Sequence, residues 1–303
     1  MKASRKLLVI LLVLLMGAVA AGCGGGGGSS SGSSTITLGN IGWDENVVAA
    51  NLTKALLTDD LGYSDVQIKQ ADVGPTFQGV GSGDLDAFQD VWTPNHKDYM
   101  AKVQDTVVEL PRWYSGETQF SMAAPKYMTD SKGNQVTSID QLNDTDATEI
   151  LGIEPGAVIT GYIDKYVIPW YGLKQTQKQS STPAMLSEVD TRYKNQEPFI
   201  FIAWRPHWMN DDYSFNYLDD PKGALGDLTN KSTVSGIVRQ GFPDDHPDAY
   251  ALMKNMSLSE EQIVSVERAN LAANNDPLQG ARNWIKDNRD VVQPWVDAAK
   301  AAQ

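Results

Sequence analysis

The chain has 303 residues, of which 41% are hydrophobic and 21% charged, so it can bury a large core in one large or two modest domains. Its formal net charge of −13 argues against a nucleic-acid partner, because nucleic-acid phosphates bind to basic surfaces. One cysteine excludes an intramolecular disulfide, and three histidines with that cysteine leave few ligands for a zinc or iron site. We therefore expect neither a metal nor another cofactor.

The N-terminus has the pattern of a signal peptide over residues 1–22. Lys2, Arg5 and Lys6 form a basic region, and residues 7–21 are an almost unbroken apolar run. About fifteen apolar residues fall short of the roughly 20 that a membrane-spanning helix needs. Removing this segment takes away three basic and no acidic side chains, which changes the formal net charge from −13 to −16.

The only cysteine, Cys23, directly follows the small residues VAAG at 19–22. This arrangement resembles a bacterial lipobox, in which the cysteine is diacylated and becomes the first mature residue. The alternative is an ordinary secretory signal with an incidental cysteine. Residues 24–34 are glycine and serine only, a flexible tether with a reach of about 17–20 Å. We expect a lipid-anchored extracytoplasmic protein, on the outer face of the cell membrane or in a periplasm.

From residue 35, strands and helices alternate, which is typical of an α/β protein. Short apolar or alternating segments predict strands at 35–39, 66–70, 87–92, 149–153 and 199–204. Apolar residues at helical spacing predict helices at 45–61, 76–83 and 157–170, a helix opening at 257–260, and one or two more over 277–300. The pattern therefore predicts two α/β lobes and a mostly helical C-terminal part.

Three of the eight tryptophans lie where predicted strands end: Trp43, Trp92 and Trp204. Ligands of α/β proteins bind just beyond the carboxyl ends of strands, so we expect these three rings to converge on one crevice. We also expect them to be more exposed than tryptophans within helical patterns, for which a core position is the simpler interpretation. Those helical tryptophans are Trp170, Trp284 and Trp295.

Indole faces around a pocket attract cations without a counter-charge, and this geometry suits quaternary ammonium groups, which have no N–H to donate. Enzyme templates, by contrast, are missing from the sequence. Outside the glycine- and serine-only tether at 24–34, it contains no GxSxG elbow, and nowhere a GxxxxGK phosphate loop or an HExxH zinc motif. Neighbouring acidic pairs such as Asp44 and Glu45 are interpreted as solvated surface. We therefore expect a binding protein without catalytic residues.

Four segments resemble the glycine betaine-binding lipoproteins of ABC importers: GWDE at 42–45, VWTPNHK at 91–97, GIEPG at 152–156 and AWRPHWM at 203–209. The likeness extends over about residues 35–255. It implies a two-lobed periplasmic-binding-protein-like fold of type II, with a ligand cleft between the lobes and closure by hinge motion.

Carried over position by position, the resemblance makes Trp43, Trp92 and Trp204 the aromatic cage for the trimethylammonium head. It makes the backbone N–H groups of Val158 and Ile159 the site of the ligand carboxylate, and His96 a further donor to it. A helix N-terminus has an independent reason to bind an anion there, because its first N–H groups are unpaired and its dipole end is positive. His96 could instead be a structural histidine.

The expected organisation is lobe 1 over 35–122, lobe 2 over 123–235, and a return to lobe 1 over 236–303. The expected function is capture of glycine betaine or a similar compatible solute by a monomer that delivers it to the permease subunits of an ABC importer. Choline, carnitine or proline betaine are alternative ligands of the same fold, and an envelope-anchored enzyme acting on a choline-like compound is a remote alternative. Trp113 and Tyr114 either line the cleft or pack at the hinge, and Arg112 and Arg205 are candidate carboxylate clamps.

Overall fold

The computed structural model describes residues 35–303. The predicted signal peptide over 1–22, the predicted lipid attachment at Cys23 and the predicted tether over 23–34 lie outside the described residues. Within the described part of the chain, no helix is both long and apolar enough to cross a membrane.

Lobe 1 is built on a five-stranded sheet with the order β2-β1-β3-β10-β4. Strands β1, β2 and β3 are parallel, and β10 pairs antiparallel with both β3 and β4. The strands of this sheet are β1 (Thr35–Asn40), β2 (Asp65–Gln70), β3 (Ala87–Thr93), β4 (Val107–Leu110) and β10 (Thr233–Arg239).

Lobe 2 has a second five-stranded sheet with the order β7-β6-β8-β5-β9. Strands β6, β7 and β8 are parallel, whereas β5 runs antiparallel to its neighbours β8 and β9. The strands of this sheet are β5 (Gln119–Pro125), β6 (Glu149–Leu151), β7 (Thr176–Lys178), β8 (Ile200–Arg205) and β9 (Phe215–Tyr217).

The chain crosses between the sheets twice, once between β4 and β5 and once between β9 and β10. The two crossovers bond to each other, since Thr118 Oγ1 donates to the carbonyl of Ser232 at 3.0 Å and accepts its N–H at 2.6 Å. Lobe boundaries at residues 122 and 235 would cut through β5 and β10. In the structure the chain passes from one sheet to the other a few residues before each of those positions.

Helices cover both sheets, and the C-terminal helices belong to lobe 1, where α9, α10 and α11 pack with α1 and α12 packs with α9 and α11. The α-helices are α1 (Asp44–Asp59), α2 (Val73–Ser82), α3 (Lys97–Met100), α4 (Val158–Tyr162), α5 (Ile168–Tyr171), α6 (Thr182–Lys194), α7 (Met209–Asp212), α8 (Phe242–Asp245), α9 (Pro247–Asn255), α10 (Glu260–Ala272), α11 (Pro277–Asp287) and α12 (Arg289–Lys300). Short 3₁₀ helices span Ile139–Asp144 and Gly226–Thr229.

Local sequence signals explain several of these boundaries. Ser259 caps α10 in a reciprocal capping box with Gln262, within the segment 257–260 where the sequence predicts a capped helix start but two residues after the first serine of that motif. Gly83 ends α2 in the left-handed region at φ 84°, where a side chain would be strained. The helix expected over 157–170 is present but has a π-helical turn, Ile163–Val167, between α4 and α5.

Of the three helical tryptophans, Trp284 and Trp295 are buried as expected, but a core position for Trp170 is wrong, since it is 52% exposed. On this helical stretch Ile163 and Val167 point inward. Trp170, near the end of α5, is left uncovered and packs edge-on against Tyr166, with 5.7 Å between ring centroids.

Candidate functional site

The three strand-end tryptophans converge between the two lobes. Trp43 lies between β1 and α1, Trp92 is the penultimate residue of β3, and Trp204 is the penultimate residue of β8. The ring centroids of Trp43 and Trp204 are 6.4 Å apart although the residues belong to different lobes. The ends of the strands of both sheets therefore meet at one cleft, as the sequence predicts.

The expectation that these rings are more exposed than helical tryptophans is wrong. Trp43, Trp92 and Trp204 are each at most 5% exposed. The reason is that the lobes are closed over them, so that the edge of each sheet, which would face solvent in a separated lobe, is covered by the other lobe.

A narrow, mostly apolar cavity lies among these rings. Phe120, at the start of β5, is paired in register with Trp204 and closes the cavity on a further side. Its ring centroid lies 6.1 Å from that of Trp92 and 6.5 Å from that of Trp204. The side chains leave room for about one water molecule, so the cavity must widen to accept a trimethylammonium group.

Five of the six predicted ligand residues line this cavity: Trp43, Trp92, His96, Val158 and Trp204. The sixth, Ile159, does not line the cavity; it follows Val158 as the second residue of α4 and its side chain is fully buried. Within residues 35–303, neither the Val158 N–H nor the Ile159 N–H has a hydrogen-bond acceptor. Two unpaired donors therefore lie at the helix end that faces the cage.

His96 is a neutral hydrogen-bond donor at the cavity wall. Its Nδ1 accepts the backbone N–H of Trp92 at 3.2 Å, which places the ring proton on Nε2. Burial lowers the pKa of His96 to about 3, so the ring stays uncharged at neutral pH. Its ring packs against Trp43, with 5.8 Å between centroids.

The cavity is also lined by four residues that the sequence did not identify as ligand residues: Glu45, Asn95, Phe120 and Ile153. Among them, Glu45 contradicts its interpretation as solvated surface, because it is fully buried. Helical spacing would have revealed this, since Glu45 lies on the same face of α1 as the buried residues Ala49 and Leu52. Phe120 could have been found by pairing β5 with β8.

Glu45 and Asp90 form a buried acidic pair behind the cage. Burial, together with the charge of Asp90, raises the pKa of Glu45 well above its ordinary value. Burial likewise raises the pKa of Asp90, to about 8. One oxygen of each carboxyl, Glu45 Oε1 and Asp90 Oδ2, has no hydrogen-bond partner within the described chain.

Hydrogen bonds across the cleft hold the lobes closed. On one side of the cage, carboxyl oxygens of lobe 1 accept N–H groups of the segment 204–208 of lobe 2. The pairs are Trp204 Nε1 with Glu45 Oε2 at 3.0 Å, His207 Nε2 with Asp44 Oδ2 at 3.0 Å, and the backbone N–H of Trp208 with Glu267 Oε2 at 2.8 Å. These three bonds fix the end of β8 and the segment after it to lobe 1 in this closed form.

The other candidates lie away from the cavity. Arg205 pairs with Glu260 at 2.5 Å, and Arg112 is exposed, so neither is placed to clamp a ligand in this structure. Trp113 donates its indole N–H to the carbonyl of Gln89 at 2.8 Å, and Tyr114 forms a β-bridge with Leu258. Both aromatic residues pack at the crossover, which decides between the two interpretations left open by the sequence. The described residues contain no cluster of potential metal ligands.

Comparison with known proteins identifies the family. The model of the substrate-binding domain of ABC-type glycine betaine transport systems matches residues 34–287. The glycine betaine/carnitine transport binding protein GbuC of Listeria monocytogenes is 35% identical over 166 residues, which are 53% of this chain and 52%, about half, of the Listeria protein. The glycine betaine/proline betaine-binding periplasmic protein of Escherichia coli is 25% identical, with 81% of this chain and 84% of that protein covered.

Solved structures show the same fold. Lactococcal OpuAC, closed and in complex with glycine betaine, superposes with a TM-score of 0.75 at 27% identity, over 86% of this chain and 99% of that one. A choline-binding protein of an ABC transporter, in complex with choline, shares the fold at a TM-score of 0.75 and 23% identity, over 89% of this chain and 98% of that one. The predicted type II periplasmic-binding-protein fold is thus confirmed. The chain belongs to the family of substrate-binding domains of ABC-type glycine betaine transport systems.

Proposed function

We propose that this protein captures glycine betaine, or a closely similar quaternary-ammonium compatible solute, and delivers it to the permease subunits of an ABC importer for osmoprotective uptake. Its work is binding, with no bond made or broken. The observation that carries the proposal is the convergence of three indoles, one neutral histidine and the start of α4, whose first two backbone N–H groups are unpaired, at a single cavity between the lobes.

The cage accounts for the cationic end of the ligand. A desolvated cation–π contact contributes about 2 kcal/mol, so Trp43, Trp92 and Trp204 together contribute about 6 kcal/mol. Micromolar affinity needs about 8 kcal/mol, so the cage requires a further contribution. Phe120 adds apolar contact and excludes water.

The start of α4 accounts for the anionic end. The free N–H groups of Val158 and Ile159 and the Nε2–H of His96 supply three donors for a carboxylate, and a bond from a donor to a charged acceptor contributes about 1.5–3 kcal/mol. Two such bonds close the gap between the contribution of the cage and micromolar affinity. The ligand would then touch lobe 1 through Trp43 and lobe 2 through Trp204. It would therefore bind the closed form more tightly than the open form, in which the two residues are apart.

One observation favours choline as a second candidate. The carboxyl of Glu45 lies in the cavity wall with an unpaired oxygen, and an ionised carboxylate there would favour a ligand with net positive charge. The raised pKa of Glu45 argues the other way, because a protonated, neutral wall suits a ligand of zero net charge. We therefore place the betaines first and choline second, with carnitine and proline betaine as further betaine-type ligands.

The titration that tests the proposal uses the cage as its own reporter. Intrinsic tryptophan fluorescence is followed as purified protein is titrated with glycine betaine, proline betaine, carnitine and choline. Saturable quenching or a spectral shift with glycine betaine at micromolar concentration supports the proposal, and tighter binding of choline would reverse the ranking. Binding of none of the four would refute it, and turnover of any of them would indicate the remote enzymatic alternative.

The cellular arrangement is also proposed. A diacylated Cys23 followed by a glycine- and serine-rich tether would hold a monomeric binding domain at the extracytoplasmic face of the cell membrane. Cys23→Ala should then move the protein from the membrane fraction to the soluble extracytoplasmic fraction. An unchanged membrane association would contradict the lipid anchor.

A further inference from the structure

The indole N–H of each cage tryptophan donates to a carboxyl group. The three pairs are Trp43 with Glu154 Oε2 at 3.0 Å, Trp92 with Asp90 Oδ1 at 2.9 Å, and Trp204 with Glu45 Oε2 at 3.0 Å. The ring edges are thus fixed by carboxyl oxygens, which leaves the ring faces free to face the cavity. Two of the three bonds, those of Trp43 and Trp204, cross from one lobe to the other.

Glu154 differs from the other two acceptors because both of its oxygens are engaged. Oε1 accepts the backbone N–H of Thr182 at 2.7 Å, and Oε2 accepts the Thr182 hydroxyl at 2.9 Å in addition to the Trp43 indole. The bonds to Thr182 lie within lobe 2 and tie the turn after β6 to the start of α6. They leave the carboxylate fixed in a position that Trp43 meets when the lobes close.

Glu154 also lies directly before the turn that leads to α4, where the free N–H groups of Val158 and Ile159 lie. It does not line the cavity itself. Glu154 thus contacts the ring of Trp43 in lobe 1 and lies in the same turn of lobe 2 that leads to the anion donors.

We propose that Glu154 is a positioning residue for ligand binding: from lobe 2 it fixes the ring of Trp43 in lobe 1, so that this wall of the cage is set only in the closed form. The inference rests on the proposed capture of a betaine by the cage. An amide cannot take over this role. Three donors bond to the two carboxylate oxygens of Glu154, whereas glutamine has only one oxygen that accepts.

A double-mutant cycle tests the inference, with glycine betaine as the probe and its Kd measured by calorimetry. Glu154→Gln is made in the natural chain and in a Trp43→Phe background, in which the ring lacks the N–H that Glu154 accepts. If Glu154 acts through Trp43, Glu154→Gln raises Kd about tenfold in the natural chain and less than about threefold in the Trp43→Phe background. An equal factor in both backgrounds would show that Glu154 only supports α6 through Thr182, and would overturn the inference.

Two further variants keep the test interpretable. Glu149→Gln, on β6, removes a carboxyl that pairs with Arg192 and makes no contact across the cleft, so its Kd should match that of the natural chain. Glu154→Asp keeps the charge but shortens the side chain by one methylene group. It should raise Kd in the natural chain and less in the Trp43→Phe background, and it keeps the test usable if the glutamine variant folds poorly. If the natural chain does not bind glycine betaine, the proposed function fails; if it binds and the cycle is additive, this inference alone fails.

Discussion

Trp204 provides a strong single-residue test of the cage. It comes from lobe 2, its ring lies 6.4 Å from Trp43 and 6.5 Å from Phe120, and its N–H bonds to Glu45 in lobe 1. Replacing it by alanine removes one cation–π contact of about 2 kcal/mol, which corresponds to a Kd about thirtyfold higher. It also leaves Glu45 Oε2 without its indole donor, which adds to the loss because an unpaired buried acceptor destabilises the closed form.

We therefore expect Trp204→Ala to raise the Kd for glycine betaine at least tenfold while the fold is retained. Calorimetric titration measures the affinity, and circular dichroism with a thermal melt verifies folding. Trp170→Ala is the matched control, because Trp170 is 52% exposed on a helix away from the cavity, and its Kd should be unchanged. A folded Trp204→Ala protein whose Kd lies within twofold of the natural one would remove this residue from the cage.

Three other predictions concern the anion donors and the buried carboxyls. Val158→Pro removes one N–H at the first position of α4, where proline fits because Ala157 before it is extended (φ −68°, ψ 134°). This variant should raise the Kd for glycine betaine about tenfold and leave the Kd for choline unchanged. The control Val158→Ala keeps the N–H and should change neither Kd by much. His96→Phe should likewise weaken glycine betaine more than choline in parallel titrations, and equal losses would assign His96 a structural role. Burial raises the pKa of Asp90 to about 8 in the folded state, whereas an unfolded aspartate has a pKa of about 4. Between about pH 4 and 8 the folded state therefore binds more protons than the unfolded state, so the free energy of unfolding should fall as pH rises, by up to about 1.4 kcal/mol per pH unit for one proton. Urea unfolding at several pH values should show a flatter dependence in Asp90→Asn.

Much of the fold follows from local pattern in the sequence. The strands at 35–39, 66–70 and 87–92 and the capped helix after Ser259 are predicted within a few residues, because alternation and capping are local signals. Lobe membership is less local. A boundary at residue 122 misses the start of β5 because strand pairing between distant segments decides which sheet a strand joins.

The site divides in the same way. The cage tryptophans and the turn before α4 carry recognisable motifs, and the structure brings them together. Glu45 was missed because an acidic residue at the start of a helix usually faces solvent, although its spacing from Ala49 and Leu52 places it on the buried face of α1. The exposure of Trp170 was missed because helical periodicity alone does not show which face of an isolated helical segment meets the core.

The central claim is that the cage selects its ligand by the positive charge of the trimethylammonium head, rather than by shape. The most direct measurement compares the Kd of glycine betaine with that of 3,3-dimethylbutanoate, in which carbon replaces the ammonium nitrogen and the shape and carboxylate are kept. Three desolvated cation–π contacts of about 2 kcal/mol each predict a Kd at least about a hundredfold higher for the neutral-headed analogue. Values within threefold of each other would show that the three indoles serve only as an apolar wall, and would contradict the account.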